Sequence, residues 1–136
     1  MITEPLPAPL IPLHSPEVAF EAVGGKGANL IALSQGGFPV PDAFLIPTET
    51  YRNFVAENQL EGHISAILEK TDPTNPDELE QASSEIRVAF TNGHMLPIQL
   101  ESLETAWHWL GSGPVAVRSS ATAEDLPDMS FAGQQD

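Results

Sequence analysis

Gly113–Asp136, reading GPVAVRSSATAEDLPDMSFAGQQD, is the stretch on which the reading of this chain turns. Its first part, Val115-Ala116-Val117, is a short β-branched run that predicts a strand, and it delivers Arg118 into a tract of small hydroxylic and glycine residues. Such residues let the backbone approach an anion closely, which is how a polyphosphate site is commonly built. The chain holds only 5 Lys+Arg against 19 Asp+Glu, so a cation at the end of an apolar strand is a scarce resource. Taken alone, Arg118 reads equally well as a phosphate ligand or as the partner of a nearby acid such as Glu124 or Asp125.

Far upstream a second cation sits in a similar setting. Residues 22–33, AVGGKGANLIAL, set Gly24, Gly25 and Gly27 around Lys26 and then continue as a helical pattern through Leu30, Ile31 and Leu33. A glycine turn followed by a helix aims free N–H groups and the ammonium at one point. The spacing is neither that of a P-loop, which needs Ser or Thr after the lysine, nor the GxGxxG of a dinucleotide fold. By itself this motif favours a turn lysine beside helix-capping glycines.

Between the two motifs the chain reads as scaffold. Leu10, Ile11 and Leu13 can form a short edge strand where proline is tolerated. Gly36-Gly37 closes the lysine helix, Phe38-Pro39-Val40-Pro41 is extended, and Ala43–Ile46 predicts a buried strand. Thr48 is a candidate cap for a helix with Tyr51, Phe54 and Val55 on one face, and a short helix follows around Ile64–Leu68. Asn75, Pro76 and Glu78 spell cap, first turn and capping box for a helix whose Leu79, Ala82, Ile86 and Phe90 recur at helical intervals until Asn92-Gly93. A further helix from about Pro97 would bury Leu100, Leu103, Trp107 and Leu110. These last two helices are expected to pair as a helical hairpin.

Composition narrows the function classes. At 136 residues the chain suits one modest α/β (α+β) domain, with 41% hydrophobic residues. A net charge of −14 excludes a general basic face for nucleic acid. The absence of cysteine removes thiolate catalysis and sulfur-ligated metals. The opening residues carry no basic start and no long apolar run, so neither a signal peptide nor a membrane span is expected, and a cytoplasmic location is the default.

Three segments in order, VGGKGANL at 23–30, PVPDAFLIPTETY at 39–51 and AVRSSATAEDLPDMSFAGQQD at 116–136, resemble the nucleotide-binding domain of the phosphoenolpyruvate synthase and pyruvate phosphate dikinase family. The resemblance implies the first part of an ATP-grasp-like fold that binds ATP with Mg²⁺. It further implies a phosphotransferase that passes phosphate from ATP through a histidine on a mobile domain to pyruvate or another acceptor. It makes Lys26 and Arg118 the catalytic pair on the ATP phosphates. Gly25, Ser119 and the small-residue loop Ser130, Phe131, Ala132 and Gly133 join them in the binding site, and Ser120 and Thr122 could add hydroxyl contacts.

Glu124, Asp125 and Asp128 suit a hard cation by type, but a solvated acidic loop is favoured. No metal ligand is assigned here, since the family's magnesium ligands are expected in a later part of the fold. None of His14, His63, His94 and His108 has the glycine- and threonine-rich setting of the phosphorylated histidine. Residues 1–136 are thus expected to be a partial N-terminal ATP-binding domain, without the second half of the site, the phosphohistidine domain or the acceptor domain, and inactive alone. Within the family, pyruvate phosphate dikinase and rifampicin phosphotransferases are alternatives to the synthase. A non-catalytic nucleotide-binding regulatory module is the alternative from another class.

Overall fold

The computed structural model describes residues 7–15 and 18–121. These divide into two compact units, one built from residues up to Thr50 together with those from Pro97 onward, the other from Tyr51–Leu96. The expectations placed on residues 122–136, including the Ser130–Gly133 loop and the acids Glu124, Asp125 and Asp128, lie outside the described residues.

In the first unit β1 (Ile11–Pro12) pairs antiparallel with β2 (Phe44–Leu45), Ile11 opposite Leu45 and Pro12 opposite Phe44. Both strands are short and half-buried, so the expected buried strand at 43–46 is present in reduced form. The helix α1 (Phe20–Gln35), which connects the two strands in sequence, packs on this two-stranded sheet and supplies the core: Val23 and Ile31 are buried with Leu13, and Leu30, Val40, Ala43 and Leu45 pack around them. Each such side chain removed from water contributes about 1.5–3 kcal/mol. The helix ends as Gly36-Gly37 foretells. Gly37 adopts φ +75°, its N–H donates to the Ser34 carbonyl, and the Phe38 N–H donates to the Leu33 carbonyl, a Schellman closure.

The helix α5 (Pro97–Trp109) also belongs to this unit, and its buried face differs from the one expected. Gln99, Ser102 and Ala106 are buried, while Leu100 is 53% and Trp107 37% exposed. The seat of the helix is polar: the Ser102 hydroxyl lies 3.1 Å from the Ala8 carbonyl and 2.8 Å from that of Ile98. After α5, the run Val115–Val117 is not a strand. No described strand pairs with it, and a lone strand leaves its backbone groups without partners; Val117 is 88% exposed.

The helix α2 (Thr48–Glu57) opens in the first unit. Thr48 does not cap it by its side chain; its hydroxyl donates instead to the Glu21 carbonyl at 2.8 Å, tying α2 to the start of α1.

In the second unit α3 (Leu60–Leu68) packs on α4 (Pro76–Asn92). The helical hairpin therefore forms one element earlier than expected, since α5 falls in the other unit. The α4 start follows its sequence signature with one variation. The Asn75 side chain accepts from the Asp77 N–H at 3.1 Å with Pro76 in the first turn. The Asn75 N–H is already given to the Asp72 carbonyl, so Glu78 reaches further back and accepts from the Asp72 N–H at 2.8 Å and from the Asn75 amide at 3.0 Å. Phe90 near the end of α4 stacks on Tyr51 and Phe54, with ring centroids 6.1 and 6.0 Å apart. Asn58 ties the following turn down, accepting from the His94 N–H and donating to the His94 carbonyl.

The observed class is mixed, mostly helical with a small two-stranded sheet, and is consistent with α/β. None of the described helices is long and apolar enough to cross a membrane.

Candidate functional site

The site begins at Gly24. Its φ of 69° and ψ of 177° are not helical, so α1 is a first turn joined through a kink to a main helix that starts at Gly25. Positive φ is strained for residues with a side chain, and here space forbids one as well. A Cβ on Gly24 would lie 2.6 Å from the Ser120 hydroxyl oxygen and 3.0 Å from the backbone of Ala121. The glycine thus does two things at once. It restarts the helix, placing Lys26 in the first turn, and it lets residues 120 and 121 lie directly against the turn.

Hydrogen bonds lock the two segments together. The Gly25 N–H donates to the Ala121 carbonyl at 3.1 Å, and the Gly27 N–H donates to the Ser120 hydroxyl at 3.2 Å. The same hydroxyl donates to the Val23 carbonyl at 2.8 Å, and the Lys26 ammonium donates to the Ser119 carbonyl at 3.2 Å. Two N–H groups that a new helix leaves without intrahelical partners are therefore satisfied from the far end of the unit. The lysine and arginine motifs meet, although 93 positions separate Lys26 from Ser119.

Lys26 is half-buried, while Arg118 and Ser119 are exposed. Arg118 immediately precedes the carbonyl that holds the ammonium, and no hydrogen bond or ion pair joins it to another described residue. The Lys26 ammonium thus lies beside the backbone of the residue that follows Arg118; a point ammonium and a planar guanidinium are both groups suited to an anion of several charges. The Gly25 N–H, in contrast, is engaged by Ala121.

Sequence reasoning missed the parts played by Gly24 and Ser120. The signal for the first was the doubled glycine before the lysine. The second had none beyond a hydroxyl next to Ser119. Among the described residues no three His, Asp or Glu side chains gather to hold a metal ion, so the donors present do not fit a magnesium site. All four histidines are exposed; His108 shares a hydrogen bond of 2.7 Å with Ser112 at the end of α5. The second unit carries an open groove of about 510 Å³ between α3 and α4, lined by His63, Lys70, Gln81 and Glu85 among others. None of the residues expected to bind nucleotide lines it.

Residues 20–136 match the family described as pyruvate phosphate dikinase, AMP/ATP-binding domain. The phosphoenolpyruvate synthase of Aeropyrum pernix is 45% identical over 121 residues, covering 84% of this chain and 15% of the relative. That of Neisseria meningitidis serogroup B is 44% identical over 127 residues, covering 85% and 16%. A probable phosphoenolpyruvate synthase of Methanothermobacter thermautotrophicus is 41% identical over 119 residues, covering 83% and 17%. The chain therefore spans less than a fifth of the length of these relatives. No solved structure matches it. With most of its length matched and both cationic motifs inside the match, the chain belongs to the pyruvate phosphate dikinase AMP/ATP-binding domain family.

Proposed function

We propose that this chain binds the triphosphate of ATP between Lys26 and Arg118, as the ATP-binding part of a phosphoenolpyruvate synthase-like phosphotransferase. The observation that carries the reading is the docking of the Lys26 ammonium on the residue next to Arg118. Phosphoryl transfer requires little covalent chemistry of the protein; positioning and charge neutralisation do most of the work. The ammonium supplies a compact charge and the guanidinium a bidentate fork for phosphate oxygens, and both act most strongly where negative charge builds up during transfer. Gly25 contributes by close approach of its backbone, and Ser119 and the 130–133 segment contribute polar contacts to the phosphates.

In this reading phosphate passes from ATP to a histidine, as the resemblance implies. From there it passes to the enolate oxygen of pyruvate. No step is assigned to a magnesium ion, since the described residues do not fit one, and none to the exposed histidines. The family and its relatives support ATP as the ligand; pyruvate as acceptor rests on the names of those relatives.

Titration calorimetry of the chain with Mg·ATP tests the proposal. One-to-one binding is expected, weakened about ten- to a hundredfold by Lys26→Ala and by Arg118→Ala, the loss of a charge-assisted hydrogen bond in each case. Absence of binding, or affinity unchanged from wild type in both variants, would refute it. Binding by a chain as long as the relatives without pyruvate-dependent consumption of ATP would instead mark a regulatory nucleotide module.

A further inference from the structure

We infer that Ser120 is a positioning residue, whose hydroxyl clamps the lysine turn onto the arginine segment so that Lys26 and Arg118 face one ligand; this rests on the nucleotide-binding reading above. The resemblance alone made Ser120 a candidate phosphate contact. The structure assigns it a different task. A serine hydroxyl has a single proton, and that of Ser120 is directed to the Val23 carbonyl at 2.8 Å. Its oxygen accepts from the Gly27 N–H at 3.2 Å. With its proton committed inside the protein, the group is not a donor to phosphate.

The placement of these two bonds explains their effect. Val23 is the last residue before the Gly24 kink and Gly27 the third of the main helix, so one hydroxyl bridges the kink from both sides. Lys26 lies between the two clamped positions. A rotation of the new helix about Gly24 would carry the lysine away from Arg118, and the Ser120 bridge opposes it. The partly buried setting makes the clamp effective, because a broken bond there leaves a backbone N–H and a carbonyl with restricted access to water. Gly24 completes the fit, since any side chain at that position would displace the hydroxyl.

The test combines a readout of the clamp with a readout of the ligand. In Ser120→Ala, amide exchange at Gly27 should quicken and Mg·ATP affinity should fall, each on the order of tenfold. Ser120→Thr, which keeps the hydroxyl, should restore both. A residue that merely stabilised the fold would weaken binding whether or not the lysine is present, whereas a residue acting through Lys26 should have no further effect in a Lys26→Ala background. Unchanged Gly27 exchange in Ser120→Ala would overturn the inference, as would unchanged affinity or a loss of equal size without Lys26. A wild-type chain that does not bind Mg·ATP would overturn the nucleotide reading itself and this inference with it.

Discussion

The Lys26 ammonium donates to the Ser119 backbone carbonyl at 3.2 Å, closing a loop of 93 positions. A backbone carbonyl is a neutral acceptor, so this bond directs the side chain without itself cancelling the charge. The lysine is aimed by backbone, and the backbone is held by the Gly24 kink and the hydrogen bonds around it.

Gly24→Ala should therefore be among the more damaging small substitutions in the first unit. The added methyl meets the Ser120 hydroxyl and the Ala121 backbone, and φ of 69° is unfavourable for alanine. A loss of about 1–3 kcal/mol is expected, read as a lower denaturant midpoint. Gly37→Ala meets nothing within 4 Å and should cost only its φ strain, about 1 kcal/mol.

Asn75→Ala should destabilise the second unit by about 0.5–2 kcal/mol, since the residue caps α4 and also holds Glu78. Affinity for Mg·ATP should not change. Thermal unfolding of the variant alongside calorimetry checks both parts.

The cap of α4 was readable from sequence because cap, proline and acid are neighbours and act locally. The Gly36-Gly37 stop was readable for the same reason. The face of α5 was not: periodicity marks which residues share a side, but Ser102 turns that side inward through a bond to Ala8, a contact 94 positions distant. Val115–Val117 has strand-forming residues, yet a strand requires a partner, which composition does not supply. The convergence of Lys26 with the Arg118 segment was expected from the resemblance, and the Gly24 and Ser120 devices that produce it were not, because each works only once the far segment has arrived.

Asp72 provides a pH-dependent prediction. The Thr74 hydroxyl and then the Thr74 N–H donate to its carboxylate, holding its pKa below the ordinary aspartate range. Its stabilising contribution is present above the unfolded-state pKa and is lost as pH falls through the lower folded value. A carbon-detected NMR titration should show Asp72 ionising at lower pH than a free aspartate, and Thr74→Ala should move the midpoint upward. An unchanged midpoint would contradict the hydrogen-bond cause.

Asn58→Ala should loosen the turn after α4, because it strands the His94 N–H and removes the amide donated to the His94 carbonyl. Both bonds are exposed, so a cost of about 0.5–1.5 kcal/mol is expected. Faster amide exchange at His94, with exchange at Gly25 and Gly27 unaltered, would identify the effect as local.

The most direct test follows the side-chain nitrogens of Lys26 and Arg118 by NMR while ATP is added to the isotopically labelled chain. Both signals should shift together, along one saturating curve, with the Gly27 amide retained in its hydrogen bond. If ATP moves neither signal, or moves only residues of the α3–α4 groove, the two cations do not share a triphosphate and the assignment of the site is wrong.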